Sequence, residues 1–127
     1  MRRRAVRRKA VRRTATRLVA GPWAVWGAVM LVHPSGVTRL VCGGGPEPRA
    51  WIVRLLGARL VAQHGFTLLH PTRDVVLAGA GVDVLHAASM GLVRARWPRY
   101  ARPAWVSGST SAASALAGVL AAPQAQR

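Results

Sequence analysis

The sequence has few acidic residues, and this scarcity argues against an ordinary soluble surface. It contains 3 Asp+Glu against 19 Lys+Arg among 127 residues, for a formal net charge of +16. A soluble domain of this size normally carries charges of both signs over its surface. The chain is also 51% hydrophobic. The composition therefore predicts that lipid, rather than water, surrounds most of the chain.

Cysteine is scarce as well, because Cys42 is the only one in the chain. An intramolecular disulfide and a Cys-based metal site are therefore excluded. The sequence contains no H-E-x-x-H, G-x-S-x-G or P-loop pattern, and the glycines at 43–45 precede a proline rather than a helix. We predict a protein that is not an enzyme and that holds no metal and no cofactor.

The basic residues are concentrated at the N-terminus, where positions 1–17 contain no acid. The apolar residues of this tail recur about every five positions, so they do not form one face of a helix. We predict a disordered cytoplasmic tail over residues 1–17 that contacts anionic lipid head groups. Nucleic-acid binding is the alternative, although no aromatic residues are interleaved with the basic ones. The residues predicted to contact lipid are Arg2, Arg3, Arg4, Arg7, Arg8, Lys9, Arg12 and Arg13.

Long uncharged or weakly charged apolar runs follow the tail, each close to the length that a bilayer core requires. They predict an all-α fold, namely a small multi-pass transmembrane bundle of four short helices over residues 18–122, followed by a short tail at 123–127. Asp74 is predicted to cap the third helix. The apolar runs lie at 18–33, 51–70, 74–93 and 104–122.

The basic tail predicts a cytoplasmic N-terminus. The preference for Arg, Ala, Val and Gly suggests a high-G+C bacterial genome, and together with the apolar runs it predicts a protein of the bacterial inner membrane. Four spans place the loops 34–50 and 94–103 outside the cytoplasm. The second loop contains the basic sequence RARWPRYAR, which conflicts locally with the positive-inside rule. Three spans, with residues 51–70 lying at the interface, are the alternative.

A weak internal repeat relates residues 17–34 to residues 54–71, an offset of 37 positions. Both units begin with Arg-Leu and end with Leu-x-His-Pro, which favours a duplicated helix that stops before the proline. The identical pairs are Arg17 and Arg54, Leu18 and Leu55, Leu31 and Leu68, His33 and His70, and Pro34 and Pro71.

Ionisable residues inside the apolar runs are the candidate site. If the second and third helices form an antiparallel hairpin, Arg59 lies level with His86 and within reach of Asp83. The three residues then form an intramembrane polar cluster. One interpretation is a structural clamp between helices, since pairing offsets the cost of burying charge in lipid. The other is a proton or ion path.

From Arg54 through Met90 the patterns R-L-L-G-A-R, H-P and G-x-D-x-L-H-A resemble those of small four-helix bacterial integral membrane proteins of a family of unknown function. The similarity extends over about residues 17–122. It implies a four-helix membrane bundle and no activity. The long basic tail and the RARWPRYAR loop depart from the family pattern.

Three hypotheses of function follow from these features. The first is a non-enzymatic scaffold or accessory subunit of the membrane, in contact with the bilayer and with another membrane protein or a second copy. The second is a proton- or ion-coupled carrier that uses the cluster of Arg59, Asp83 and His86. The third is a nucleic-acid-binding protein that uses its basic tail.

Overall fold

The computed structural model contains helices and no strands in the part of the chain that it describes, which confirms the all-α prediction. It describes residues 2–124, apart from the side chains of Arg2 and Ala5. Met1 and residues 125–127, which belong to the predicted terminal tails, lie outside the described residues. The helices are α1 Arg2–Val32, α2 Pro34–Cys42, α3 Ala50–Leu69, α4 Arg73–Arg96 and α5 Ala101–Ala121, with a 3₁₀ turn at Pro98–Tyr100.

The predicted apolar runs lie in α1, α3, α4 and α5, and α2 is a helix that we did not predict. It occupies the start of the segment 34–50, which was expected to be a loop. Its 9 residues span roughly 14 Å, too short for a bilayer core of about 30 Å. Val37 and Cys42 are buried while Leu40 is exposed, so α2 packs one face against the end of the bundle.

The basic tail is helical and continues without a break into the first apolar run as α1. This differs from the predicted disorder. Ala and Arg are strong helix formers, and the first glycine of the chain is Gly21, so no residue interrupts the helix earlier. Val6 and Val11 are exposed, as expected for a helix without an apolar face.

Three helices end at the residue that precedes a proline. His33, His70 and Trp97 have φ between −124° and −131° and ψ between 55° and 79°. The proline ring disfavours the helical conformation for the residue before it, so each helix ends there.

The next long helix, α4, is capped by Thr72, whose side chain accepts a hydrogen bond from the Val75 amide at 3.4 Å. The prediction of Asp74 as the cap is wrong, because Asp74 lies in the first turn.

The two units of the internal repeat form an antiparallel pair, α1 with α3, through reciprocal contacts. Arg17 Nε donates to the Leu68 carbonyl at 3.1 Å, and Arg54 Nε donates to the Leu31 carbonyl at 3.4 Å. Arg17 corresponds to Arg54 in the repeat, and Leu31 corresponds to Leu68. A cation therefore stabilises the C-terminal carbonyls of each helix. The same contact made in both directions relates the two units by an approximate two-fold axis.

The helices run up and down, and the closest pairs are α1 with α3 and α4 with α5. Helices α3 and α4, which we expected to form a close hairpin, contact each other at fewer positions. The reason is steric. Gly27 faces Gly57 where α1 crosses α3, and Gly108 faces Met90 where α5 crosses α4. Between α3 and α4 the contacts are polar, such as that from Gln63 Nε2 to the Gly79 carbonyl at 3.2 Å.

Small and polar residues are common in the interior of the bundle, and many large apolar residues lie on its exterior. Besides aliphatic residues such as Val53 and Leu60, the buried residues include several alanines and the polar residues Thr16, Thr38, His64, Thr67, Asp83, Ser111 and Ser114. Large apolar residues are exposed along every long helix, among them Leu18, Val25, Leu55, Phe66, Leu77, Leu85, Leu92, Leu116 and Leu120.

We expect the glycines at the crossing of α1 and α3 to be sensitive to a single added methyl group. A Cβ at Gly57 would lie 2.6 Å from the Gly27 carbonyl oxygen and 2.8 Å from Met30 Cβ. Gly57→Ala should therefore lower the free energy of unfolding by about 1–3 kcal/mol through overpacking, measured by thermal unfolding in detergent. Gly65→Ala on the same helix is the matched control, because a Cβ there meets nothing within 4 Å. Equal stability of the two variants would contradict the close crossing.

Candidate functional site at the centre of the bundle

An ion pair lies at the middle of the bundle. Arg59 is at the midpoint of α3 and Asp83 near the midpoint of α4. Arg59 Nη2 lies 3.2 Å from Asp83 Oδ1, with side-chain exposures of 23% and 1%. The structure therefore brings together the two charged residues that the sequence placed at similar depth. A carboxylate this deeply buried requires such a partner.

The central serine of α5 also contacts the ion pair. Ser111 lies at the midpoint of α5, and its Oγ accepts a hydrogen bond from Arg59 Nη2 at 3.4 Å. Sequence reasoning did not assign Ser111 to the site. The depth of Ser111, midway between the helix ends, was the available signal. The guanidinium thus connects α3 to both α4 and α5.

His86 does not contact the ion pair directly. Its Nε2 lies 2.9 Å from Ser107 Oγ on α5, and it lines the same cavity as Arg59. The predicted cluster is therefore an Arg59–Asp83 pair with His86 beside it. His86 lies one turn beyond Asp83 on α4, and that step brings it level with a different serine of α5.

A second histidine, which sequence reasoning did not assign to the site, lies on the other side of the pair. His64 Nε2 is 3.4 Å from Ser114 Oγ, and its ring stacks on Trp23 with a centroid separation of 6.4 Å. It lies five residues from Arg59 on α3. In the sequence His64 appeared as a polar interruption of the second apolar run. Only the packing of α1 and α5 around α3 shows that it is buried.

Two cavities lie on either side of the ion pair. The larger, about 80 Å³, extends from α2 to the centre and is lined by Arg59 but not by Asp83. The smaller, about 30 Å³, extends toward Thr16 and Thr67 and is lined by Asp83 but not by Arg59. Ser114 lines both. The Arg59–Asp83 pair therefore lies between two cavities that extend toward opposite ends of the bundle.

Part of the Arg59 guanidinium has no acceptor. Nε and Nη1 are buried and have no hydrogen-bond partner among the described residues. Gln63 Oε1, one turn away on α3, and Asp83 Oδ1 are likewise buried without a hydrogen-bond donor among the described residues. Buried polar atoms of this kind are few in native proteins. Their position identifies the centre of the bundle as the candidate site.

The basic residues of the tail divide into two groups. Arg12 is directed to the bundle, where its Nη1 donates to the carbonyls of Leu120 at 3.2 Å and Ala122 at 3.3 Å, at the end of α5. The side chain of Arg2 lies outside the described residues. The remaining predicted lipid-contact residues are exposed, namely Arg3, Arg4, Arg7, Arg8, Lys9 and Arg13.

Other chemistry-bearing groups do not form a recognisable active centre. The part of the chain that the structure describes contains no group of three His, Cys, Asp or Glu side chains that could hold a metal ion. Burial raises the pKa of the Cys42 thiol, and the nearby Glu47 carboxylate adds to the rise. The thiol is therefore protonated at neutral pH and is a weak nucleophile.

Comparison of the chain with models of protein families, with curated proteins and with solved structures gives no match.

We expect loss of the Asp83 carboxylate to destabilise the bundle. Asp83→Asn leaves the buried Arg59 charge without its partner, which should lower the free energy of unfolding by about 3 kcal/mol, measured by thermal unfolding in detergent. Adding Arg59→Gln removes that charge and should restore part of the loss.

Asp74→Asn is the matched control, since Asp74 is an exposed carboxylate of the same helix. It should cost less than about 1 kcal/mol, the usual size of a charge effect at a helix N-terminus. A double variant no more stable than Asp83→Asn alone would show that the two residues do not act as a clamp.

Proposed function

We propose that this chain is a small multi-pass protein of the bacterial inner membrane that acts as a non-enzymatic scaffold or accessory subunit. One observation supports the membrane location above all others. In the middle of α4, Asp83 is 1% exposed whereas Leu85, two residues later, is 73% exposed. A soluble protein has the opposite arrangement. In lipid an exposed leucine is stable and a charged group must face the bundle interior.

The exposed apolar surface extends around the bundle. Leu55 on α3 and Leu116 on α5 are 62% and 63% exposed, and a soluble monomer rarely exposes apolar area on this scale. Among the described residues, Val6–Val32 within α1 and Arg73–Arg96 are long and apolar enough to cross a membrane by length and composition. We propose that α3 and α5, at 20 and 21 residues, complete a set of four spans.

The ends of the bundle suggest an orientation. The start of α1, the turn between α3 and α4 and the end of α5 lie at one end, joined by the contacts of Arg12 with Leu120 and of Arg73 with the Pro123 carbonyl. At the opposite end of the bundle, helix α2 follows the C-terminal end of α1, and the RARWPRYAR segment lies at the C-terminal end of α4. We propose that the end carrying the basic part of α1 is cytoplasmic, by the positive-inside rule.

The basic part of α1 extends beyond α5. Arg12 is level with the last residues of α5, so residues 2–11 project as a helical extension with exposed arginines. Each basic residue near an anionic membrane surface contributes roughly 1 kcal/mol of attraction. We propose that this extension contacts anionic head groups. The bundle then anchors a basic helix at the membrane surface, where another membrane protein or a second copy can bind.

The membrane location is tested by extraction. We expect the full-length protein, expressed in a bacterium, to remain with the membrane fraction through washes with alkaline carbonate and with concentrated salt, and to dissolve only in detergent. The physical reason is that apolar burial in lipid does not depend on ionic strength, whereas a contact made by basic residues alone is screened by salt.

A variant with Arg3, Arg4, Arg7 and Arg8 replaced by Gln is the control, and it should behave identically. Release by salt, or recovery in the soluble fraction without detergent, would contradict the proposal. Either result would favour nucleic-acid or surface binding through the basic residues.

A proton- or ion-coupled carrier is the second candidate, and two observations favour it. The ion pair separates two cavities that open toward opposite ends of the bundle, and charged groups at such depth commonly mark ion or proton pathways. In addition, α1 and α3 form an inverted pair through the reciprocal contacts of Arg17 and Arg54. Many transporters are built from inverted repeats.

Proton flux distinguishes the two candidates. Purified protein is reconstituted into liposomes that contain a pH-sensitive dye, and a pH gradient is imposed. A scaffold should leave the decay of the gradient equal to that of protein-free liposomes, which is the result we expect. The variant combining Arg59→Gln with Asp83→Asn is the control. A faster decay with the unmodified protein that this variant abolishes would establish the carrier instead.

A further inference from the structure

The larger cavity has a basic polar end and apolar walls. Arg59 and His86 are its ionisable lining groups apart from Cys42, and neither Asp nor Glu is among the residues that line it. Ser107 and Ser111 add hydroxyl groups beside them. The walls are formed mainly by aromatic and aliphatic side chains, among them Trp23, Trp26, Met30, Val53, Leu56 and Val106. The charge of this lining suits an anion, and its walls suit an apolar chain.

The Arg59–Asp83 contact does not use every donor of Arg59. Nη2 lies 3.2 Å from Asp83 Oδ1 and donates to Ser111 Oγ, whereas Nε and Nη1, like Asp83 Oδ1, have no hydrogen-bond partner among the described residues. A guanidinium carries five N–H donors, and it prefers the oxygens of carboxylates. A ligand carboxylate could accept from Nη1 while Asp83 remains on Nη2. The serine hydroxyls of the lining could donate to the second oxygen.

The volume sets the size of the ligand. A cavity of about 80 Å³ holds on the order of six water-sized groups. A carboxylate takes about three of these groups and leaves room for about three further chain atoms. We propose that the larger cavity binds a short-chain monocarboxylate, with its carboxylate on Arg59 and its chain against Trp23, Trp26 and Met30. The site goes beyond the scaffold role and depends only on the folded bundle, so it is tested without a membrane.

Tryptophan fluorescence reports the binding. Trp23 and Trp26 line the cavity, whereas the other three tryptophans line neither cavity. The probe is ω-bromopropanoate, whose bromine quenches a tryptophan that it contacts, added to the full-length protein in an uncharged detergent. We expect saturable quenching. The matched alcohol, ω-bromopropanol, has the same chain without the charge and should bind at least about tenfold more weakly, the equivalent of one ionic contact.

Two variants distinguish binding of the probe in the cavity from its partition into detergent. The Arg59→Gln, Asp83→Asn double variant removes the basic end without leaving an unpaired charge, and it should lose the saturable quenching. Arg39→Gln, which removes an exposed cation outside the cavity, should retain it.

Thr110→Leu decides the case if the double variant does not fold. Thr110 lines the cavity, and its hydroxyl bonds only to the Val106 and Ser107 carbonyls of its own helix, so leucine fills space without removing an interhelical partner. It should weaken binding of the acid about tenfold. Quenching that does not saturate, that is equal for acid and alcohol, or that survives Thr110→Leu would overturn the proposal.

Discussion

The Arg59–Asp83 ion pair is the contact on which the arrangement of the bundle depends. Asp83 is the most completely buried large side chain among the described residues, and a carboxylate at that depth is stable only beside a cation. Arg59 supplies the charge and also reaches Ser111, so a single guanidinium fixes the relative positions of α3, α4 and α5. His64 and His86 lie about one turn away on either side of the ion pair, and each contacts a serine of α5.

The second determinant is the close approach of α1 and α3. Gly27 and Gly57 allow the two backbones to meet, because a Cβ at either position would lie within 3 Å of the facing helix. The reciprocal bonds from Arg17 and Arg54 stabilise the two ends of the pair. The repeat in the sequence thus has a physical meaning, since the same Arg-to-carbonyl contact is made twice with opposite direction. Because α1 pairs with α3, helices α4 and α5 form a second pair. The ion pair and the histidines and serines beside it lie between the two pairs.

Much of this could be predicted from the sequence, because long apolar runs and prolines leave strong local signals. The four long apolar runs, the helix ends before Pro34 and Pro71, and the similar depth of Arg59 and Asp83 all follow from composition and spacing. The helical tail and α2 were missed. The tail was judged by its lack of an apolar face, whereas its Ala and Arg content favours a helix regardless. Helix α2 is short, and it is stabilised by packing on the bundle rather than by its own sequence.

The sequence by itself determined that the chain is helical, where its helices end, and that charged residues lie at the middle of apolar runs, because propensity, proline sterics and hydropathy act on neighbouring residues. Only the tertiary structure decided which helices are neighbours, that His64 and Ser111 face the centre, and that His86 pairs with Ser107 rather than with Asp83. These contacts join residues far apart in the chain. Their geometry depends on how closely small residues allow each pair of helices to approach, and no local pattern encodes that distance.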